Sequence, residues 1–275
     1  MALLMAVTTV NIAGCSRATL DGFLYTSAPA PPGGYSLSAD VIPRYENLWI
    51  PTPDGQTLHG VLIPSKGRRA DITLIYFHGQ SANIGTAWGR MEYLYPLGYT
   101  LVIVDPRSWG LSTGEPSEAG LQIDVRSVHD FLAQRSDVGL AGLVYYGRSL
   151  GGALAIDLAT ADPPAALITE STFTSIAALV RDAAYGDLPG SFVAASKWDS
   201  LAKISRIASP YLALHGTSDF FVQPSYSQQL TAAHVGVTRL ILVPGADHTN
   251  LPETMGLDFY RQELASFIEA ALPAP

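Results

Sequence analysis

Two stretches set a serine between glycines in the pattern Gly-x-Ser-x-Gly: Gly110-Leu111-Ser112-Thr113-Gly114 and Gly147-Arg148-Ser149-Leu150-Gly151. The chemistry such a serine can serve is nucleophilic attack by its hydroxyl. That use needs a strand, a sharp turn and a helix in succession: the turn lifts the hydroxyl above a sheet, and the helix N-terminus steadies negative charge. Context separates the two matches. Residues 143–146 ahead of Ser149 are strand-like, residues 150–160 form a small-residue helical run, and glycines at 147, 151 and 152 permit close approach of the two. Ser112 sits in a polar, glycine-bearing stretch with Pro116 soon after and reads as a turn residue. Ser149 is the candidate nucleophile.

A serine needs a base, and the base needs an acid to orient it. Strand-turn-helix nucleophiles take these partners in the chain order serine, acid, histidine. Downstream of Ser149 stand His215, His234 and His248. His215 ends a strand-like run just before Gly216 and is expected to pack or cap. His234 falls at the end of an amphipathic run and is expected at a solvated helix end. His248 lies in the loop Gly245-Ala246-Asp247-His248-Thr249-Asn250, between the last strand and the last helix, where a base belongs. For the acid, Asp219 follows a strand directly through His215-Gly216-Thr217-Ser218 and is preferred. Glu170, which also ends a strand, is the runner-up, while Asp247 adjoins the histidine too closely in sequence. Acyl transfer also needs two amide donors for a developing oxyanion. Leu150 N–H, next to the nucleophile, is one candidate. Gln80 N–H, in the loop His78-Gly79-Gln80-Ser81-Ala82-Asn83, is the other, with His78 holding that loop.

These side chains need a scaffold that brings them together from far apart in sequence. Residues 47–50 and 57–63, separated by Pro53-Asp54-Gly55, read as an antiparallel hairpin. Residues 72–77, 100–104, 142–146, 166–169, 210–214 and 238–243 are short apolar runs without alternation, as strands buried on both faces would be. Leu121, Val125, Val128 and Leu132 fall on one stripe of a helix over 117–134, and Tyr260, Leu264, Phe267, Ile268 and Ala271 make an apolar face on a C-terminal helix. The expected fold class is α/β: a mostly parallel sheet of about eight strands with an antiparallel N-terminal hairpin and helices on both faces. Ligands of such sheets bind beyond the carboxyl ends of the strands, where the candidate residues lie.

The rest of the composition narrows the function. A net charge of −8 over 275 residues disfavours binding to a nucleic-acid backbone. A hydrophobic share of 48% with 15% charged residues excludes extended disorder. The single cysteine excludes an intramolecular disulfide and Cys-rich metal sites, and no Walker loop, Rossmann fingerprint or metal-ligand set stands out, so no cofactor is expected. That cysteine, Cys15, follows Ile12-Ala13-Gly14 behind a short apolar run, and this resembles the lipobox of bacterial lipoproteins. The resemblance implies a signal peptide over 1–14, lipidation of Cys15, and anchorage to a membrane surface of the bacterial envelope. A soluble cytoplasmic protein is the alternative. Residues 15–43, with Ala28-Pro29-Ala30-Pro31-Pro32-Gly33-Gly34, read as a tether whose first third could dock on the domain, and 44–275 as the domain.

Five ordered motifs resemble the α/β-hydrolase family, and within it the lid-poor serine hydrolases that include protein depalmitoylases and aminopeptidase- and dipeptidase-like branches. They are Phe77-His78-Gly79-Gln80, Asp105-Pro106-Arg107-Ser108-Trp109-Gly110-Leu111-Ser112-Thr113-Gly114, Tyr146-Gly147-Arg148-Ser149-Leu150-Gly151-Gly152, His215-Gly216-Thr217-Ser218-Asp219 and Gly245-Ala246-Asp247-His248. Relatives more often carry Asn at position 80, Tyr at 106 and Gly at 108; a backbone donor tolerates the first change, and the other two are expected to reshape a loop near the site. The resemblance implies hydrolysis of carboxylic esters or thioesters through Ser149, His248 and Asp219, acting on a small-molecule or acylated substrate. A peptidase with the same triad and a binding protein without turnover are the alternatives. A small lid is expected at about 171–206, with a helix over 175–184, and Phe192, Trp198, Phe220 and Phe221 are candidates to line an acyl pocket, with core packing the commoner place for aromatics at such positions. The oligomeric state is left open.

Overall fold

The computed structural model describes residues 24–65, 67, 69–182 and 196–272. Cys15 with its expected signal segment, and Phe192 in the expected lid, lie outside the described residues. Eight strands, β1 (Glu46–Pro51), β2 (Thr57–Ile63), β3 (Thr73–Phe77), β4 (Thr100–Asp105), β5 (Leu143–Arg148), β6 (Ala166–Glu170), β7 (Tyr211–Gly216) and β8 (Thr238–Val243), form one sheet in the order β1-β2-β4-β3-β5-β6-β7-β8. β2 pairs antiparallel with both β1 and β4, and every other pair is parallel. Each strand read from sequence is present. The central ones are buried along their whole length, which is why their sequences lack alternation.

Helices cover both faces: α1 (Ile84–Leu94), α2 (Glu118–Ala133), α3 (Leu150–Ala161), α4 (Ile176–Asp182), α5 (Ser200–Ile204), α6 (Pro224–Ala233), α7 (Leu251–Met255) and α8 (Leu257–Ala271). Two apolar clusters sandwich the sheet. One gathers the Leu121, Val125, Val128 and Leu132 stripe of α2 with α3; the other gathers Ile84, Trp88 and Met91 of α1 with Tyr260, Leu264, Phe267 and Ile268 of α8. Ser117 caps α2 by accepting the Gly120 amide. No element is read from the sequence at α1, where Gly85, Thr86 and Gly89 interrupt the apolar spacing. Asn83 and Thr86 start it with a reciprocal capping box, and burial of Ile84, Trp88 and Met91 at helical spacing does the rest.

The stretch read as a tether follows a different course from residue 24 onward. It has no regular structure, but it lies along the domain as a strap. Ala30 N–H donates to Gly110 O and Gly110 N–H donates to Ala28 O, both at 3.0 Å. The Tyr35 hydroxyl reaches Asp105 Oδ2 at 2.6 Å, and the Trp198 indole N–H donates to the Tyr25 hydroxyl at 2.9 Å. Tyr25 and Ile42 are buried. Prolines keep the segment out of a helix, and isolated hydrogen bonds suffice to seat it.

Two glycine replacements test how tightly the strand and helix layers meet. A Cβ on Gly89, in α1, would meet nothing within 4 Å, whereas one on Gly151 would fall on the backbone carbonyl oxygen of Phe77. Gly89→Ala is expected to stabilise the fold by about 0.5–1 kcal/mol, and Gly151→Ala to destabilise it by about 3 kcal/mol, both read from urea unfolding midpoints. Equal midpoints for the two variants would contradict this packing.

Candidate active site

Ser149 stands between β5 and α3 with φ 53° and ψ −119°, a conformation non-glycine residues rarely adopt. Its neighbours impose it. The Ser149 amide donates to Glu170 O at 2.9 Å, and its carbonyl accepts the Thr172 hydroxyl at 2.8 Å and the Gly152 amide at 2.9 Å. Gly147 and Gly151 leave no room for a side chain where strand and helix meet. The result is a serine at the carboxyl end of a central strand, held on a sharp turn at the N-terminus of a helix.

His248 Nε2 is 3.2 Å from Ser149 Oγ, and His248 Nδ1 is 2.7 Å from Asp219 Oδ2. A carboxylate only accepts, so Nδ1 carries the proton and Nε2 offers its lone pair to the serine hydroxyl. Asp219 Oδ1 is taken by the amides of Phe221 at 3.0 Å and Val222 at 2.8 Å, which fix the plane of the carboxylate. Burial opposes ionisation of Asp219. Hydrogen bonds from His215 and His248, with the field of His248 and the Val222 amide, outweigh it and hold the carboxyl well below the usual range. The arrangement can move a proton from the Ser149 hydroxyl to an imidazole whose positive form is stabilised from behind.

The loop after β3 passes beside this serine: a Cβ on Gly79 would come within 3.4 Å of Ser149 Cβ. Leu150 opens α3, so its amide has no partner four residues back in the helix. The Gln80 carbonyl accepts the Trp109 indole N–H at 2.5 Å, which turns that peptide's carbonyl away on a defined side. The His78 ring lies between Gly79 O at 2.8 Å and Asp105 Oδ1 at 3.1 Å and so secures the loop. Ser108, where relatives more often carry glycine, has φ 73°. That departure forces a serine into the backbone region glycine prefers.

The other candidates have different surroundings. Glu170 is fully buried and bound by Arg90 at 3.0 Å through both oxygens, away from His248. Asp247 accepts the amides of Thr249 at 2.7 Å and Asn250 at 3.1 Å and thereby shapes its own loop. His215 is buried between the Ser227 hydroxyl at 2.7 Å and Val222 O at 2.8 Å. His234 caps α6 as expected, but its ring is buried rather than solvated, with Nε2 3.0 Å from Ser209 O. Ser112 Oγ donates to Asp105 O at 2.6 Å and accepts the His59 amide at 2.8 Å. Trp198 is 1% exposed and belongs to the core, while Phe220 and Phe221 are 88% and 70% exposed, Phe221 with its ring centre 5.3 Å from that of His248. Among the described residues, no group of three or more His, Cys, Asp or Glu side chains is placed to hold a metal ion. Arg148, not singled out from the sequence, lies between serine and histidine, with Nη2 2.7 Å from the His248 carbonyl.

A mostly parallel eight-stranded sheet that presents a strained serine after its fifth strand has the α/β-hydrolase fold. No protein-family model matches the sequence. The chain is 33% identical over 223 residues to the uncharacterized protein Rv2307c of Mycobacterium tuberculosis, covering 81% of this chain and 79% of that one. It is 30% identical over 219 residues to the alpha/beta hydrolase domain-containing protein WAV2 of Arabidopsis thaliana, covering 72% and 71%. Among solved structures, an esterase from Pyrococcus furiosus, Pf2001, superposes with a TM-score of 0.72 at 20% identity, covering 88% of this chain and 99% of that one. The chain belongs to the family of α/β-hydrolase-domain proteins that contains Rv2307c and WAV2.

The depressed ionisation of Asp219 has a measurable sign. Its ionised form stabilises the fold at every pH above the unfolded aspartate value of about 4, and that contribution is lost as pH falls from there toward the lower folded value. Asp219→Asn is therefore expected to have a lower urea midpoint than wild type at neutral pH, with the gap narrowing below pH about 4. A gap that stays constant or widens on acidification would show that the carboxylate is not held this way.

Proposed function

We propose that the protein is a serine hydrolase that cleaves carboxylic ester or thioester bonds through an acyl-enzyme. The observation that carries the reading is the continuous pair of contacts from Ser149 Oγ to His248 Nε2 at 3.2 Å and from His248 Nδ1 to Asp219 Oδ2 at 2.7 Å, on a strained strand-to-helix turn. Ser149 Oγ attacks the carbonyl carbon while His248 Nε2 takes its proton and Asp219 steadies the imidazolium. The amides of Leu150 and Gln80 donate hydrogen bonds to the developing oxyanion. Collapse of the tetrahedral intermediate expels the alcohol or thiol, which His248 protonates. Water then enters by the same proton route and releases the acid and the free serine. Esterase names among the fold neighbours, Pf2001 and an acetyl xylan esterase from a Paenibacillus species, favour an ester as the first substrate to try.

Ser149→Ala is expected to lower kcat on p-nitrophenyl esters by at least about 10³-fold and to abolish labelling by a fluorophosphonate, with the urea midpoint retained. Activity surviving in that variant would refute the nucleophile. A panel of esters, thioesters and aminoacyl anilides reads the leaving group, and preference for anilides would replace the ester reading with a peptidase. For the N-terminus we propose lipidation at Cys15, which would set this chemistry at a membrane surface. Radiolabelled palmitate should enter the wild-type chain and not Cys15→Ser, and equal incorporation into both would exclude the site.

A further inference from the structure

We infer that Arg148 is a positioning residue, a half-buried strut anchored on Glu170 that holds the His248 backbone at working distance from Ser149. This rests on the triad reading above and adds to it the part that keeps the base in place.

The need for such a strut follows from where His248 sits. Its ring is aimed by Asp219, but its backbone belongs to a surface loop between β8 and α7. The bonds of Asp247 and Thr249 stay within that loop, and Asn250 also accepts the Thr254 amide and hydroxyl of α7, so these bonds join the loop to the short helix after it and not to the sheet. Gly245 and Ala246 are tied to Thr217 and Ser218 two or three residues earlier. At residue 248 the tie to the sheet is the donation from Arg148 Nη2 to the carbonyl at 2.7 Å, and among the described residues that carbonyl accepts from no other group.

Arg148 is itself anchored. It lies opposite Glu170 in the β5–β6 register, with Nε 3.7 Å from Glu170 Oε1, and the Glu170 side chain has no exposed surface. Glu170 cannot swing, because Arg90 grips both of its oxygens at 3.0 Å and the Tyr146 hydroxyl donates to one of them. Burial alone would lower the Arg90 pKa, but the Glu170 charge raises it well above the ordinary guanidinium value, so Arg90 keeps its charge beside that carboxylate. The Glu170 backbone carbonyl also receives the Ser149 amide at 2.9 Å. One buried residue thus fixes the backbone of the proposed nucleophile directly and that of the proposed base through Arg148. Two cations around one carboxylate leave the cluster a surplus positive charge, which the His248 carbonyl dipole meets.

A polar cavity of about 240 Å³ opens beside this strut, lined by Arg148, Arg90, His78, Tyr93, Thr249 and Glu253. It offers a route for a small planar cation to take the place of a deleted side chain, which makes the inference testable by chemical rescue. Arg148→Ala is expected to lower kcat on a p-nitrophenyl ester by about 100-fold, the cost of a displacement near 1 Å at the reacting groups, with KM unchanged. Millimolar guanidinium chloride should restore much of that loss in Arg148→Ala and do nothing for Ser149→Ala or wild type, while urea, of the same shape without charge, should not rescue. Arg148→Lys should retain an intermediate kcat, since a single ammonium cannot reproduce the planar fork, and it serves as the readout if the alanine variant fails to fold. A kcat for Arg148→Ala equal to wild type, or a loss that guanidinium leaves untouched in a folded variant, would overturn the inference. Fluorophosphonate labelling of wild-type Ser149 is measured alongside: its absence would sink the triad reading, whereas labelled wild type with an unimpaired Arg148 variant would sink only the strut.

Discussion

A serine hydroxyl differs little from water as a nucleophile until its backbone is held where the chain alone would not go. At Ser149 that constraint is φ 53° and ψ −119° at the junction of β5 and α3, a conformation that costs on the order of 1–3 kcal/mol and persists only where the surroundings over-determine it. The surroundings here are the middle of the sheet. β5 is flanked by β3 and β6, the glycines at 147 and 151 bring α3 against the strand ends, and both polar backbone groups of Ser149 are satisfied by neighbouring elements. The strain is therefore borne in the buried middle of the sheet. The same turn sets Leu150, whose amide is the proposed oxyanion donor, directly after the proposed nucleophile.

Two buried carboxylates at neighbouring strand ends have different surroundings, and the difference assigns them different work. Glu170 ends β6 and is met by guanidinium groups, whose charge is permanent and whose forked donors consume its oxygens. Asp219 follows β7 and is met by imidazoles and backbone amides. The Glu170 oxygens are occupied by Arg90 and Tyr146, while Asp219, bound by the imidazoles of His215 and His248 and by two amides, is rigid and still faces the His248 ring. Strand-end position alone had left Glu170 as the alternative acid. What excludes it is Arg90, which arrives from α1, 80 residues away in sequence.

Much of the fold and the central contacts of the site were legible because they rest on local signals. The parallel strands carry short apolar runs, the α2 and α8 stripes repeat at helical spacing, and the serine, aspartate and histidine each follow a strand in order. The parts that were not legible depend on long-range partners. α1 has glycines at 85 and 89 and gains its helix from a capping box and from burial against α8, which its own sequence does not show. Trp198 takes the core place that is commoner for such aromatics and not a pocket wall, but its partner is not visible in its own sequence: the indole finds Tyr25 across 173 residues and is buried there. Arg148 was hidden inside the motif that exposed Ser149. An arginine between glycine and the serine, opposite a glutamate in the next strand, is the signal that could have drawn attention to it.

The strap shows how far the site's supports extend. Asp105, at the end of β4, has no exposed side-chain surface and accepts three donors: His78 Nε2 at 3.1 Å and the Ile84 amide at 2.9 Å on one oxygen, and the Tyr35 hydroxyl at 2.6 Å on the other. The first two belong to the loop that carries Gln80 and to the helix that follows it; the third belongs to the strap. Asn83 adds a second link, donating to Ala28 O and Pro29 O at 3.1 Å, and the loop of Trp109 and Gly110 is bonded to Gln80 on one side and to the strap on the other. Because an unpaired buried acceptor is costly, removal of Tyr35 from Asp105 would be felt by the two donors that share its carboxylate. The segment ahead of β1 is in this sense a structural part of the proposed oxyanion loop, and the irregular composition that suggested a free tether describes its backbone but not its attachment.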